Sequence, residues 1–97
     1  NKIFNQFPVP STIADGASTP EIGKINLPIM KKHLERVMNV DDDELIDCMK
    51  FFGERCKMVV EPTGCLGLAA TKRLVKEGAI KPGDRVATVV TGGNIDM

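Results

Sequence analysis

The chain has 97 residues, which suffice for one small domain or for part of a larger one. A hydrophobic fraction of 42% argues against a disordered chain, and a formal net charge of zero without any basic run argues against binding to nucleic acid or to a membrane surface. No apolar run is long enough to cross a bilayer.

The first part of the sequence predicts loops and one helix. Residues 1–10 carry two prolines and predict an extended segment, and residues 11–16 predict a short strand or a loop that ends in an Asp-Gly turn. Pro28 suits the first residue of a helix that ends near Arg36, and residues 37–40 are a candidate strand. The predicted buried side of this helix consists of Ile29, Met30 and Leu34.

Two further helices are predicted in the second half. The first runs from Asp41 to about Lys57, since Asp41 and Glu44 form a capping-box pattern. The second runs from about Cys65 to Glu77, with Thr63 as a candidate N-cap and Gly78 as its C-terminal stop. The apolar positions at helical spacing are Leu45, Cys48, Met49, Phe52 and Cys56 in the first, and Leu66, Ala69, Ala70 and Leu74 in the second.

The last segment decides the fold class. After a turn at residues 81–84, the apolar run Arg85–Val90 predicts a strand buried on both faces, as in a parallel sheet. The order helix, link, helix, strand predicts an α/β fold with a parallel sheet flanked by helices. The sequence shows no partner strands for such a sheet, and it starts without Met and stops soon after the last strand. We therefore expect residues 1–97 to be a partial chain.

The cysteines indicate a reducing compartment. Cys48, Cys56 and Cys65 are an odd number without C-x-x-C spacing, which is typical of free thiols in a cytoplasmic protein. Cys65 is either a reactive thiol at a helix start or a packed side chain, and packing is favoured. The single His33 and the acidic run 41–44 lack the spacing of zinc or EF-hand sites, so we expect no metal site in this chain.

Thr91, Gly92, Gly93 and Asn94 directly follow the predicted strand, where ligands of parallel sheets bind. The glycines let the backbone turn sharply and approach a planar ligand. The residues alone leave three interpretations open. The segment is either a turn that ends the strand or a nest of backbone N–H groups that binds an anion. In the third interpretation, the Thr91 hydroxyl donates a hydrogen bond to a heteroaromatic ligand.

Glu61 and Gly16 also allow two interpretations each. Glu61 precedes a predicted helix start, where its carboxylate is either solvated and favoured by the helix dipole or held at the edge of a pocket. Gly16 either belongs to a turn or offers its backbone to a flat ligand.

Three segments become more specific when they are taken in order: Ile-Ala-Asp-Gly at residues 13–16, Val-Glu-Pro-Thr-Gly at 60–64 and Thr-Gly-Gly-Asn at 91–94. This order closely resembles the C-terminal part of the serine/threonine dehydratase and serine racemase family, which are pyridoxal phosphate (PLP) enzymes of the tryptophan-synthase-β fold type. Residues 49–52 and 63–67 resemble the threo-3-hydroxyaspartate ammonia-lyase branch in particular.

The resemblance implies five cofactor-binding positions. Thr91 matches the residue whose hydroxyl meets the pyridine nitrogen of PLP, and Gly92 and Gly93 match the turn beneath the ring. Gly16 and Glu61 match positions that line the cofactor pocket.

The resemblance also implies nucleotide effector contacts at Lys57 and Asn94. The Schiff-base lysine of the family, its glycine-rich phosphate loop and its acidic ligands for a divalent cation belong to N-terminal parts without a counterpart in this sequence. We therefore expect no catalytic residue in this chain, and a divalent cation only through residues outside it.

The implied activity is that of a PLP-dependent ammonia-lyase, or dehydratase. It would catalyse α,β-elimination on serine, threonine or 3-hydroxyaspartate to give a 2-oxo acid and ammonia, while the 97-residue chain alone would be inactive. The implied partners are the amino-acid substrate, the rest of the enzyme chain and further copies in a homo-oligomer. The alternatives are a serine racemase, or a non-catalytic binding module or relic of the same fold.

Overall fold

The structure is a computed structural model that describes residues 11–96. Within this range the α-helices are α1 (Asn26–His33), α2 (Asp42–Phe51) and α3 (Leu66–Lys76). Short turns of 3₁₀ helix lie at Asp15–Ala17 and Thr63–Cys65, and a π-helical turn lies at Phe52–Cys56. No helix in the described part is long and apolar enough to cross a membrane. The extended segment predicted for residues 1–10 falls outside the described residues.

The capping box predicted at the start of α2 is confirmed. The backbone N–H of Asp41 donates to the Glu44 carboxylate at 2.9 Å, and the reciprocal contact to the Asp41 side chain is also present. The predicted helix extends as far as expected, but its end is the π-helical turn, which Lys57 closes with a φ of 57°. This turn adds a residue and rotates Cys56 off the apolar face, so Cys56 is exposed, contrary to prediction.

The end of α3 follows the glycine stop predicted from the sequence. The N–H groups of Ala79 and Gly78 donate to the carbonyls of Leu74 and Val75 at 3.0 and 3.1 Å, and Gly78 has a φ of 80°. This pair of bonds is the Schellman arrangement. The turn predicted at residues 81–84 is confirmed as well, since the N–H of Asp84 donates to the Lys81 carbonyl at 3.0 Å.

Thr63 does not cap this helix, which corrects the prediction. Pro62 precedes a 3₁₀ turn, and its carbonyl accepts a hydrogen bond from the N–H of Cys65 at 3.0 Å. The backbone therefore closes the first turn, and Thr63 lies inside the turn instead of before it.

The core lies where α2, the link after it and the start of α3 meet. Its buried residues are Ala14, Leu45, Cys48, Phe52, Val60, Cys65 and Ala69. Arg73 of α3 joins the two helices at the surface, because its guanidinium donates to the Glu44 carboxylate and to the Asn39 carbonyl. The core therefore positions the link of residues 57–64, which carries one of the three motifs.

The helix predicted from Pro28 forms as α1, but its apolar side is not buried. The helix begins two residues before the predicted start, so Pro28 lies in its first turn, where a missing N–H costs nothing. It ends at His33 and not near Arg36, because Leu34 is extended. Ile29 and Leu34 are about half exposed. No other described helix packs against α1, so no helix among residues 11–96 covers this side.

The predicted strands at residues 37–40 and 85–90 do not form a sheet. Among residues 11–96 no β-strand is present, and of the two alternatives for residues 11–16 the loop is the observed one. Residues 85–90 lie against α3, since a Cβ on Gly67 would overlap the Thr88 hydroxyl and approach the Val89 carbonyl to 3.3 Å. A helix cannot supply the ladder of backbone hydrogen bonds that a strand needs, and Val89 remains 78% exposed.

Candidate functional site

The three sequence motifs meet at residues 61–64. On one side, a Cβ on Gly16 would lie 3.0 Å from the Thr63 hydroxyl oxygen. On the other side, a Cβ on Gly64 would overlap the carbonyl of Thr91. The turn at Gly16 and the segment at Thr91 thus flank the same short link, although they are far apart in sequence.

The diglycine segment also packs against Glu61, the first residue of this link, and against Val59 before it. The N–H of Glu61 donates to the Gly92 carbonyl at 3.1 Å, and a Cβ on Gly92 would overlap the Glu61 carboxylate. A Cβ on Gly93 would lie 2.6 Å from the Val59 carbonyl oxygen. Gly92 has a φ of 43°, so both its conformation and its surroundings favour glycine.

The Thr91 side chain is exposed, and its hydroxyl has no hydrogen-bond partner among the described residues. Its backbone is fixed by the contact with Gly64, so the side chain projects from a held position. Two surface cavities lie elsewhere. One of about 620 Å³ lies between α2 and α3, and one of about 290 Å³ lies beside Asp15–Ala17. Neither is lined by Thr91, Glu61 or Gly92.

The Thr63 hydroxyl is a feature that sequence reasoning missed. Its oxygen is buried and has no hydrogen-bond partner in the described part of the protein. Most buried polar atoms are paired, so an orphaned hydroxyl needs an explanation. The signal in the sequence is its place between Pro62 and Gly64 inside the second motif, although the same place also predicts a helix cap.

Lys57 and Asn94 belong to the two chain segments that meet near Val59, the link after α2 and the diglycine segment. The left-handed conformation of Lys57 turns the chain from α2 into the link, and its ammonium donates to the Glu54 carbonyl at 2.7 Å. Asn94 is exposed and directly follows Gly93, which touches Val59. The structure brings the two chain segments together, but it shows no contact between the two side chains.

The thiols beside the site are buried and protonated. Burial raises the pKa of the Cys48 thiol, and burial together with the nearby Cys48 raises the pKa of Cys65 to about 11. Cys65 therefore packs in the core and is not a nucleophile at neutral pH, as the packing interpretation predicts. The described residues contain no group of three or more His, Cys, Asp or Glu side chains that could hold a metal ion.

A sequence profile described as "Pyridoxal-phosphate dependent enzyme" matches residues 2–92. The chain belongs to the pyridoxal-phosphate dependent enzyme family. This match confirms the family that the three motifs indicate.

Curated relatives narrow the place of this pyridoxal-phosphate enzyme chain within the family. It is 49% identical to L-threo-3-hydroxyaspartate ammonia-lyase of Pseudomonas sp over 88 residues. These matched residues make up 91% of this chain and 27% of the relative. It is 43% identical over 88 residues to serine racemase of Schizosaccharomyces pombe, a match that covers 91% of this chain and 26% of the relative. The chain thus spans about a quarter of the length of the curated relatives it matches.

Solved structures agree with this assignment. Maize serine racemase superposes with a TM-score of 0.85 at 34% identity, over 99% of this chain and 30% of that one. Serine racemase of Dictyostelium discoideum superposes with a TM-score of 0.79 at 32% identity, and the superposition covers 99% of this chain and 29% of that one. The likeness is consistent with the predicted α/β class, although the sheet is not formed within residues 11–96.

Proposed function

We propose that the chain is part of a PLP-dependent ammonia-lyase that acts on a β-hydroxy amino acid, namely serine, threonine or 3-hydroxyaspartate. The reaction is α,β-elimination, which yields a 2-oxo acid and ammonia. One observation carries the proposal: the link at residues 61–64 touches both the Gly16 turn and the Thr91 segment. The name of the Pseudomonas sp relative, an ammonia-lyase for a hydroxy amino acid, supports the same reaction class.

Five residues would hold the cofactor: Thr91, Gly92, Gly93, Gly16 and Glu61. One feature of the described residues suits the cofactor. The Thr91 hydroxyl is exposed and has no partner among residues 11–96, and its backbone lies against Gly64. When bound, PLP supplies the electron sink for removal of the proton from the substrate Cα, and the protein supplies orientation and electrostatics.

Thr91 would set the charge of the ring nitrogen. An uncharged hydroxyl at that atom leaves it largely unprotonated, whereas a carboxylate would keep a proton there. An unprotonated nitrogen limits charge delocalisation into the ring, which favours loss of the β-hydroxyl group over transamination. Glu61, whose backbone is bonded to Gly92, would hold the turn in place.

The chain would form one segment of the larger cofactor-binding domain. Its radius of gyration is 14.8 Å, whereas a compact domain of this length has about 12–13 Å. The valines of residues 85–90 are exposed in this chain, as expected for a strand whose neighbours belong to the rest of the protein. The remainder of the enzyme would supply the cofactor-bearing lysine, the phosphate loop and any ligands of a divalent cation.

Further properties of the family are proposals for this protein as well. Nucleotide effectors would reach Lys57 and Asn94 at the outer end of the site. The enzyme would be cytoplasmic and homo-oligomeric.

Serine racemase is the second candidate, because the Schizosaccharomyces pombe relative carries that name at 43% identity. A non-catalytic module of the same fold is the third. The partial core and the open shape of the chain disfavour an independent module. We expect the residues that distinguish a lyase from a racemase to lie outside this chain, so an assay separates the two candidates.

The test uses the full-length protein that contains this chain. PLP binding is followed by visible absorbance, release of 2-oxo acid is measured with each of the three substrates, and the enantiomers of serine are separated by chiral chromatography. We expect cofactor binding and 2-oxo acid release, with Thr91→Ser close to wild type and Thr91→Val impaired in both. Absence of PLP binding would falsify the proposal, and racemisation without elimination would favour the second candidate.

A further inference from the structure

We propose that Asp42 is a positioning residue for Thr91, because its carboxylate holds the first sequence motif against the link of residues 61–64. Asp42 acts through this link and makes no contact with PLP. The inference rests on the proposed function. It goes beyond that function by giving a role to an acid that lies outside the three motifs.

Both carboxylate oxygens of Asp42 bind the start of the first motif. The Thr12 hydroxyl donates to Oδ1 at 2.6 Å, and the backbone N–H of Ile13 donates to Oδ2 at 3.2 Å. Hydrogen bonds to a carboxylate are stronger than neutral ones, and two donors on one carboxylate fix its orientation. In the described part of the chain, residues 11–14 form no hydrogen bond to any other distant residue. Asp42 is therefore the anchor of this segment.

The capping of α2 does not explain these contacts. The capping box is completed by Asp41 and Glu44, and the Asp42 side chain takes no part in it. Asp43 lies in the same helical turn and suits the helix dipole equally, but it is exposed and forms no hydrogen bond to the first motif. Of the three acids in the first turn, Asp42 is thus the one that binds the motif.

The first motif reaches the link through the turn at Asp15–Ala17. Ala14 precedes this turn, is buried in the core, and donates its N–H to the Thr12 hydroxyl at 3.2 Å. Gly16 in the turn lies so close to Thr63 that a Cβ would be 3.0 Å from the Thr63 hydroxyl oxygen. A shift at the anchored end of the motif is therefore transmitted to the link.

The link transmits this shift to Thr91. A Cβ on Gly64 would overlap the Thr91 carbonyl, so no free space separates the two backbones. Regions packed this closely pass a displacement on instead of absorbing it. The proposed hydrogen bond of the Thr91 hydroxyl to the PLP ring nitrogen weakens steeply with misalignment. Loss of the Asp42 anchor thus weakens cofactor binding from a distance.

The experiment compares Asp42→Ala and Asp42→Asn in the full-length enzyme. The dissociation constant of PLP is measured by absorbance titration of the apoenzyme, and the stability of the apoenzyme is measured by urea denaturation. For Asp42→Ala we expect the dissociation constant to rise about tenfold. Asp42→Asn should regain most of the affinity, because its amide accepts from the Ile13 N–H and donates to the Thr12 oxygen.

Glu44→Gln is the matched control in the same helical turn. The Glu44 carboxylate binds the Asp41 N–H and the Arg73 guanidinium, and not the first motif. This variant should lose stability and keep the PLP affinity of wild type. If the affinity of all variants falls in step with their stability, Glu44→Gln included, Asp42 has only a structural role and the inference is overturned.

A double-mutant cycle tests the contact itself. Thr12→Val removes the donor to Asp42 with little change in volume, and it should also raise the dissociation constant. Because both changes break the same contact, the double variant Thr12→Val/Asp42→Ala should bind PLP no more weakly than the weaker of the two single variants. Independent effects that multiply would overturn the inference. If Asp42→Ala does not fold, Thr12→Val takes its place in the comparison with Glu44→Gln.

PLP binding by wild type separates the two proposals. If wild type binds PLP and Asp42→Ala binds it equally, only the inference about Asp42 fails. If wild type binds no PLP, the proposed function fails and this inference with it.

Discussion

The backbone N–H of Glu61 donates a hydrogen bond to the carbonyl of Gly92, with an N···O distance of 3.1 Å. The two residues also meet through the Glu61 side chain, whose carboxylate occupies the space that a Gly92 Cβ would take. The link before α3 and the diglycine segment are therefore held as one unit. Any change that separates them should affect both the stability of the protein and the proposed cofactor site.

Gly64→Ala tests how tightly this unit is packed. A Cβ on Gly64 would overlap the Thr91 carbonyl, which is backbone and cannot rotate away. We expect the substitution to lower the free energy of unfolding by about 1–3 kcal/mol, the usual cost of overpacking. It should also displace Thr91 and weaken PLP binding in the full-length enzyme. Urea denaturation and absorbance titration measure the two effects.

Gly53→Ala is the matched control for this substitution. A Cβ on Gly53 would have no neighbour within 4 Å, and the residue lies in a helical turn without a positive φ. Alanine is the better helix former there by about 0.5–1 kcal/mol, so the control should be neutral or stabilising. Equal stability of the two variants would contradict the packing described here.

The sequence predicts the helices because the ends of a helix depend on local signals. The capping box at Asp41 and the glycine stop at Gly78 are completed by neighbours a few residues away. The strand at residues 85–90 and the buried side of α1 are different, because each needs a partner segment that the described chain does not provide. The orphaned Thr63 hydroxyl was also missed, since its state depends on three-dimensional contacts and not on sequence spacing.

Glu44 should stabilise the enzyme in a pH-dependent way. The hydrogen bond from the Asp41 N–H, and after it the Arg73 guanidinium, hold the pKa of the Glu44 carboxyl below its ordinary value of 4.5. Because the pKa is lower in the folded state, the stabilisation is present above pH 4.5 and is lost as the pH falls through the folded pKa. The melting temperature of Glu44→Gln should therefore lie below wild type at pH 7, with a gap that closes towards pH 3.

The neighbouring Asp43 provides a control in the same helical turn. Asp43 is exposed and makes no contact with Arg73 among the described residues. Asp43→Asn should thus show a smaller gap that depends less on pH. If the difference in melting temperature between Glu44→Gln and wild type stayed constant from pH 7 to pH 3, the charge of Glu44 would not be what stabilises the protein.

The three cysteines should differ in reactivity. Cys56 is exposed, whereas Cys48 and Cys65 are buried with raised pKa values, so only Cys56 should react quickly with a disulfide reagent at pH 8. In the full-length enzyme Cys56→Ser should lower the number of fast-reacting thiols by one, while Cys65→Ser should not change it. If Cys65→Ser also lowered the number of fast-reacting thiols, the buried position of Cys65 would be contradicted.

The raised pKa of Cys65 also predicts a loss of stability in alkali. The folded value is about 11 and the ordinary value is 9.0, so the folded protein binds the proton more tightly than the unfolded chain. The contribution is fully present below pH 9.0 and is lost as the pH rises towards 11. Cys65→Ser should weaken the fall in stability between these pH values, which urea denaturation at several alkaline pH values measures.

Gly78→Ala should destabilise the end of α3. Gly78 has a φ of 80°, and its N–H and that of Ala79 close the last helical turn. Alanine in this left-handed conformation costs about 1–2 kcal/mol, so the urea midpoint should fall without a change in the slope of the unfolding transition. Gly78→Asn should lose less, because asparagine tolerates this conformation better. Equal losses for alanine and asparagine would mean that the left-handed backbone is not what selects glycine at this position.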